Sequence, residues 1–152
     1  MSMFPLKTIL CPTDFSDPSF AALDTAGALA GYFDAELCVV HVLGPLDPRL
    51  GIVSRQEFEQ TISADAAQKL REVVRERLPQ DLNWRAVIKF GEAGQQILAA
   101  AQEEAADLIV ISTHGLTGWR HLVFGSVAEK VARSAPCAVL TIRAPRGDEA
   151  PG

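Results

Sequence analysis

Three glycines lie in the segment STHGLTGWRHLVFGS, residues 112–126, between an apolar run and a stretch with helical spacing. Glycines allow successive backbone amides to face inward and form a concave anion-binding nest. Gly125 and Ser126 stand at the start of the predicted helix, whose first N–H groups have no partner inside the helix. This spacing predicts that the segment wraps a phosphate group, although glycines that only turn the chain remain the alternative.

Asp14 is the second candidate for chemistry, because it follows the first apolar run of the chain. Its carboxylate could accept hydrogen bonds from ribose hydroxyls or help to hold a magnesium ion. Each candidate also has a purely structural interpretation: Asp14 as the residue that leads into a helix, Ser126 as a helix cap, and His114 as a loop residue. Taken together and in this order, the three favour a phosphate-bearing ligand.

Several well-known motifs are absent from the sequence. The residues after the first strand, CPTDFS, contain no glycine, so the dinucleotide motif G-x-G-x-x-G is missing, and neither a P-loop nor a G-x-S-x-G motif occurs. A response regulator would need a lysine after the fifth strand, where TIRAP has none. The histidines His41, His114 and His121 lack the spacing of a metal site.

The pattern of apolar residues predicts five strands that alternate with four helices. Such alternation is typical of an α/β fold, a parallel sheet with helices on both faces. Ligands of these sheets bind beyond the carboxyl ends of the strands, where the strand order reverses. The predicted strands are Lys7–Thr13, Ala35–Leu43, Trp84–Phe90, Asp107–Thr113 and Ala138–Arg143. The predicted helices run from the cap Ser16 to Gly31 or Asp34, from Ser54 to Leu78, from Gly91 to just before Asp107, and from about Ser126 to Arg133.

Length and composition limit the classes of protein. The 152 residues fit one domain, which we expect over 1–144, with 145–152 as a disordered tail. A net charge of −5 argues against a nucleic-acid partner. We find no membrane span or signal peptide and expect a cytoplasmic protein. Three scattered cysteines predict small core residues, and a redox module is the weaker interpretation.

At four places the residues resemble one known family. The stretches ILCPTDFSDPSFAAL, VVHV, DLIVISTHGLTG and LVFGSVAEKVARSAPCAVLTIR occur in the order and at the spacing of the universal stress protein family, over about Lys7–Arg143. The resemblance implies a five-stranded parallel sheet of order 3-2-1-4-5, Rossmann-like, with its cleft between strands 1 and 4. It also implies ATP binding through a pattern G-x2-G-x9-G-[ST].

The resemblance implies a set of ligand contacts. The adenine and ribose would lie near Pro12, Thr13 and Asp14, with the Val42 backbone on the adenine. Ile111, Ser112, His114 and Gly115 would flank the ribose and phosphates, and Gly125, Ser126 and Val127 would enclose the phosphates. Ser112 replaces the first glycine of the pattern, and Ala128 stands where some ATP-binding relatives carry a hydroxyl. Serine is harmless at 112 only if the backbone there has ordinary strand-end geometry.

Two functions follow as expectations. The first is an ATP-binding regulator or sensor in the stress response, with ATP and magnesium bound, rather than a dedicated enzyme, since the sequence shows no evident base, nucleophile or arginine cluster for fast phosphoryl transfer. Slow hydrolysis with Asp14 and a metal stays open. The alternative is a dimer that binds no nucleotide and acts through protein contacts. In both cases the apolar last strand predicts a homodimer through Val139, Leu140 and Ile142.

Overall fold

The computed structural model describes residues 3–114 and 124–143. In this part of the chain, strands and helices alternate from end to end, as the apolar pattern predicts. The predicted tail, 145–152, and Gly115 lie outside the described residues. The elements are β1 Thr8–Pro12, α1 Asp17–Phe33, β2 Glu36–Leu43, α2 Ile52–Arg77, β3 Trp84–Phe90, α3 Ala93–Glu103, β4 Leu108–Ser112, α4 Ser126–Ser134 and β5 Ala138–Ile142.

The strands form one sheet of order β3-β2-β1-β4-β5 with every neighbouring pair parallel, which confirms the order 3-2-1-4-5. β1 lies in the middle. Its pairing with β2 runs from Thr8 to Pro12, whereas its pairing with β4 covers only Ile9 and Leu10. The chain leaves β1 for one side of the sheet and later returns to the other side. The carboxyl ends of β1 and β4 therefore stand at the point where the strand order reverses.

Two apolar cores lie on opposite faces of the sheet. Ile9 of β1 faces the core that α1 and α2 cover, and the next residue, Leu10, faces the core that α3 and α4 cover. Both side chains are fully buried. Strands covered on both faces must be apolar at every position, which explains the nearly continuous apolar runs in the sequence.

The ends of α1 are set by local side-chain chemistry. The Ser16 hydroxyl accepts a hydrogen bond from the Ser19 N–H at 3.3 Å, and Pro18 occupies the first turn, where no N–H is needed. Asp34 ends the helix in the left-handed region, with φ at 54°. Both residues were candidate boundaries from sequence, and the structure confirms them.

The limits predicted for α2 and α3 need correction. α2 begins at Ile52, two residues before the predicted Ser54. Gly91 does not open α3: it leaves β3 with φ at 135°, and the Glu92 carboxylate caps the helix instead. α3 also ends at Glu103, several residues early, because Ala105 turns into the left-handed region with φ at 50°.

Only the second half of α2 packs against the sheet. Its buried side chains are Ala66, Leu70 and Val74, whereas Phe58, predicted on the same stripe, is 47% exposed. Ile52 and Val53 are more exposed still. None of the helices in the described part of the chain combines enough length and apolar character to span a bilayer.

This division of α2 predicts different costs for two truncations. Leu70→Ala should lower the free energy of unfolding by about 3 kcal/mol, because it removes a fully buried side chain and leaves a cavity. Phe58→Ala should cost less than about 1 kcal/mol. Urea denaturation of the two variants and the wild type measures both values, and equal losses would mean that the first half of α2 also packs on the core.

Candidate functional site

A cavity of about 230 Å³ opens beyond the carboxyl ends of β1, β2 and β4. Every predicted site residue that the structure describes lines it. Gly115 is the exception, because it lies outside the described residues. The predicted residues on its wall are Pro12, Thr13, Asp14, Val42, Ile111, Ser112, His114, Gly125, Ser126 and Val127. The structure thus brings together residues that are far apart in sequence; whether they bind a ligand stays a prediction.

Further residues of the wall were not assigned from sequence. Ala93 and Ile97 lie in the first turns of α3, and Val40 lies two residues before Val42 on β2. The segment that contains Ala93 follows a predicted strand end, and Ile97 lies one helical turn later, so the switch-point rule and helical spacing could have found both. Thr113 lies in the segment 112–126 that was predicted to wrap a phosphate, whereas Ser19 gave no such signal. Ala128, noted from sequence for its missing hydroxyl, also lines the cavity.

The loop after β1 is fixed by its own side chains. The Thr13 hydroxyl lies 2.8 Å from the Ser19 hydroxyl and accepts a hydrogen bond from the Phe15 N–H at 3.1 Å. Asp14 Oδ1 accepts hydrogen bonds from the Ser16 N–H and hydroxyl, which makes an Asx turn. The Asp14 carboxylate is therefore held at the rim of the cavity by short local contacts.

The end of β2 presents its backbone to the cavity. Thr13 N–H donates to Val40 O at 2.8 Å, so the even-numbered residues of β2 direct their backbone toward β1, while Gly91 N–H donates to Leu43 O on the β3 side. The N–H and C=O of Val42 therefore face the side of β1, beyond the point where β1 ends. Within residues 3–114 and 124–143, neither group has a hydrogen-bond partner on that side. Val42 offers one donor and one acceptor next to each other.

The connection from β4 to α4 explains one glycine and one serine. Gly125 N–H donates to Thr113 O at 2.6 Å, and a Cβ on Gly125 would lie 3.2 Å from the same oxygen, so close approach favours glycine there. Ser112 is the last residue of β4, pairs with Ile142, and is not among the described residues with positive φ. Its hydroxyl donates to the His114 carbonyl at 2.7 Å. The backbone at 112 therefore does not require the family's glycine.

The first turn of α4 forms one wall of the cavity. Its N-cap is Gly125, and no side chain among the described residues caps the helix. The first N–H groups of a helix lack internal partners and bear partial positive charge. Among the lining residues that the structure describes, none is a lysine or an arginine. An anion in this cavity would therefore be held by backbone N–H groups and by the Ser126 hydroxyl.

Glu92 links the two helices that border the cavity. Its carboxylate accepts hydrogen bonds from Gln95 N–H at 2.8 Å and Gly94 N–H at 3.1 Å, and it pairs with Lys130 of α4 at 3.0 Å. The bond from Gln95 N–H, followed by that from Lys130, lowers the pKa of Glu92. The carboxylate thus joins the start of α3 to α4.

The cavity combines three kinds of chemistry. Apolar walls come from Val40, Val42, Ile97 and Ile111. The Val42 backbone supplies an adjacent donor and acceptor, and α4 supplies a helix N-terminus that no described side chain caps. This arrangement fits a flat heterocycle joined to an anionic group. No cluster of three or more His, Cys, Asp or Glu side chains that could hold a metal ion occurs among the described residues.

Comparison with known proteins gives a consistent result. A sequence model of the universal stress protein family matches residues 5–143. A universal stress protein of Thermus aquaticus is 37% identical over 144 residues, which cover 90% of this chain and 98% of the relative.

Solved structures show the same fold. The structure of MJ0577, a universal stress protein of Methanocaldococcus jannaschii, has a TM-score of 0.74 at 27% identity and covers 91% of this chain and 96% of that chain. A universal stress protein in complex with cAMP has a TM-score of 0.67 at 23% identity, covering 91% and 98%. One from Archaeoglobus fulgidus in complex with dAMP has a TM-score of 0.59 at 24% identity, covering 90% and 97%. At the identities of these two complexes the likeness concerns the fold.

The cysteines lead to a prediction about thiol chemistry. Cys11 and Cys38 are buried, and burial raises the pKa of both thiols, that of Cys38 to about 11. A raised pKa lowers the fraction of reactive thiolate. In the native protein at about pH 8, a disulfide reagent such as DTNB should therefore label these two thiols far more slowly than in guanidinium. Equal rates in native and unfolded protein would contradict this.

Proposed function

Since this chain belongs to the universal stress protein family, we propose that it binds ATP with Mg²⁺ in the cavity at the carboxyl ends of β1, β2 and β4, and that it acts as a nucleotide-dependent regulator or sensor in the stress response. One observation carries the proposal: the Val42 N–H and C=O and the N-terminus of α4, which have no cap or partner there among the described residues, border the same cavity. A purine would bind at the Val42 backbone, and phosphate would bind at the N-terminus of α4.

The Val42 backbone suits adenine. Adenine presents an acceptor, N1, beside a donor, the N6 amino group, so Val42 N–H would donate to N1 and Val42 C=O would accept from N6. Guanine presents the reverse pattern, with N1–H as donor and O6 as acceptor, and would place like groups opposite each other. Unpaired polar groups in a dry site are costly, so this edge favours adenine over guanine.

The remaining residues take roles along the nucleotide. Asp14 would accept hydrogen bonds from the ribose or share a magnesium ion with the phosphates, since Mg²⁺ is commonly held by one or two carboxylates and phosphate oxygens. The amides of Ser126 and Val127 and the Ser126 hydroxyl would hold the phosphates. As the family resemblance implies, Ile111, Ser112, His114 and Gly115 would flank the ribose and phosphates.

Two further facts support this proposal. The fold accommodates adenine nucleotides elsewhere, as in the structural neighbours with cAMP and dAMP. The lining residues that are described include no arginine or lysine, and rapid phosphoryl transfer generally relies on such cations. Binding, rather than fast catalysis, is therefore the role that we assign.

A nucleotide-free protein that acts through protein contacts is the second candidate. Ala128, buried on the cavity wall, favours it, because no hydroxyl is present there to add a phosphate contact. Chromatography of the supernatant from heat-denatured purified protein separates the two functions, since co-purified adenine nucleotide supports the first.

We also propose that the chain forms a homodimer through β5. β5 is the last strand of the sheet order, so one of its edges has no partner within the described residues. Leu140 is 38% exposed, and Val139 and Ile142 are half-buried. An apolar edge strand of this kind is a template for pairing with a second copy. The two β5 strands would meet about a two-fold axis.

Isothermal titration tests the nucleotide proposal. The wild type should bind Mg·ATP in the micromolar range and Mg·GTP at least about tenfold more weakly. Ala93→Phe should abolish ATP binding, because Ala93 lines the cavity and the ring would fill it. Gln95→Phe places the same ring on an exposed position of α3 and should leave affinity unchanged. Absence of ATP binding to the wild type at millimolar concentration would contradict the proposal.

Light scattering tests the dimer. The wild type should show twice the mass of one chain at micromolar concentration. Thr141→Lys should shift the protein toward monomer, because the substitution places two like charges close to the two-fold axis. Gln60→Lys, on the exposed part of α2, adds the same charge and should leave the mass unchanged. A monomeric wild type would show that the β5 edge does not pair.

A further inference from the structure

We propose that His41 is the positioning residue that determines base preference in this cavity, because it occupies the Thr13 carbonyl and thereby keeps the Val42 N–H free for the base. The inference rests on the proposed nucleotide function, which it deepens by naming a specificity-determining side chain. His41 itself is not among the residues that line the cavity.

The hydrogen bond of His41 defines its tautomer. His41 Nδ1 lies 2.8 Å from Thr13 O. A carbonyl oxygen can only accept, so Nδ1 must carry the proton and donate. In the neutral ring Nε2 then bears the lone pair.

This bond takes the place of a backbone bond. Thr13 N–H donates to Val40 O, which continues the β1–β2 ladder by one step beyond Pro12. In a regular parallel ladder, Val42 N–H would next donate to Thr13 O. That bond does not form between these two described residues, and the His41 ring donates to the oxygen instead. The ladder therefore stops one bond early, at the edge of the cavity.

The surroundings of His41 hold its ring in place. The ring of Phe15 packs on it with centroids 4.6 Å apart. Phe15 belongs to the loop that carries Asp14 and has φ at 64°, a conformation that costs free energy for an aromatic residue. Lys69 of α2 places its ammonium 4.2 Å from the centroid of the Phe15 ring. The imidazole is therefore packed against the same loop whose carbonyl it binds.

Loss of the imidazole donor has a specific consequence. The Thr13 carbonyl would accept from Val42 N–H, which completes the ladder and removes the donor that faces adenine N1. Phosphate contacts at α4 would not change. Discrimination between adenine and guanine should therefore decline while a general affinity for nucleoside triphosphates remains.

The first test needs no nucleotide. Long-range ¹H–¹⁵N correlation spectra of the wild-type protein report which ring nitrogen of His41 is protonated, and hydrogen exchange reports on the Val42 amide. We expect the Nδ1–H tautomer and a Val42 amide that exchanges faster than that of Val40. An Nε2–H tautomer, or a protected Val42 amide in the nucleotide-free wild type, would overturn the inference.

The second test measures the ratio of ATP to GTP affinity in three variants. His41→Leu should reduce this ratio by about tenfold, whereas His41→Asn, whose amide can donate from nearly the position of Nδ1, should restore most of it. Val39→Ala is the matched control, because Val39 is a fully buried residue two positions earlier on the same face of β2. It should lower the melting temperature and leave the ratio unchanged.

The outcomes separate the two proposals. A wild type that binds neither nucleotide contradicts the proposed function, and the tautomer and amide exchange then decide alone whether His41 holds Thr13 and frees Val42. A wild type that prefers ATP, together with an unchanged ratio in His41→Leu, overturns the inference and leaves the proposed function standing. If His41→Leu does not fold, His41→Asn decides. An ATP-to-GTP affinity ratio about tenfold lower in His41→Asn than in the wild type then also overturns the inference.

Discussion

The short pairing between β1 and β4 is the constraint on which the cavity depends. β1 stays paired with β2 as far as Pro12, but its register with β4 covers only Ile9 and Leu10. The connections on the two sides of β1 lead to opposite faces of the sheet, so the loops beyond these strands diverge. Apolar side chains close one side of the space between these loops, and the first turn of α4 closes another side. The core that α3 and α4 cover is therefore continuous with the cavity, since Val42 and Val127 pack against this core and also line the cavity.

Local sequence determined much of this fold, and long-range contacts determined the rest. β3, Trp84–Phe90, was predicted to the residue, and Ser16 and Asp34 were found as the ends of α1, because strand patterns and caps depend on neighbours in sequence. Residues of the site were found largely through the family resemblance, and the structure places those it describes on one cavity. The hydrogen bond of His41 to the Thr13 carbonyl and the ion pair between Glu92 and Lys130 were not predicted from sequence. Both contacts join residues more than twenty positions apart, and they depend on strand register and helix placement.

The chemistry of the site reconciles an acidic protein with a wall suited to anions. The chain carries a net charge of −5, and none of the described lining residues is a lysine or an arginine. Partial charges at a helix N-terminus act only within about one turn, and salt screens the more distant carboxylates. Gly125 contributes through its small size, which lets its N–H approach Thr113 O to 2.6 Å just before α4 begins, rather than through a positive φ. Ser112 keeps ordinary strand geometry and adds a hydrogen bond that shapes the loop.

The uneven packing of α2 has a consequence for how the chain holds its shape. A helix of 26 residues measures about 39 Å, yet all of its buried side chains lie in the second half. The second half is held by packing on the core, whereas the first turns rely on their backbone hydrogen bonds and on local contacts such as the Arg55–Glu59 ion pair. Unwinding from Ile52 therefore releases no buried side chain of this helix until it reaches Ala66. The length of this arm is set by the helix–coil equilibrium, so it responds to temperature and solvent before the sheet or the cavity does.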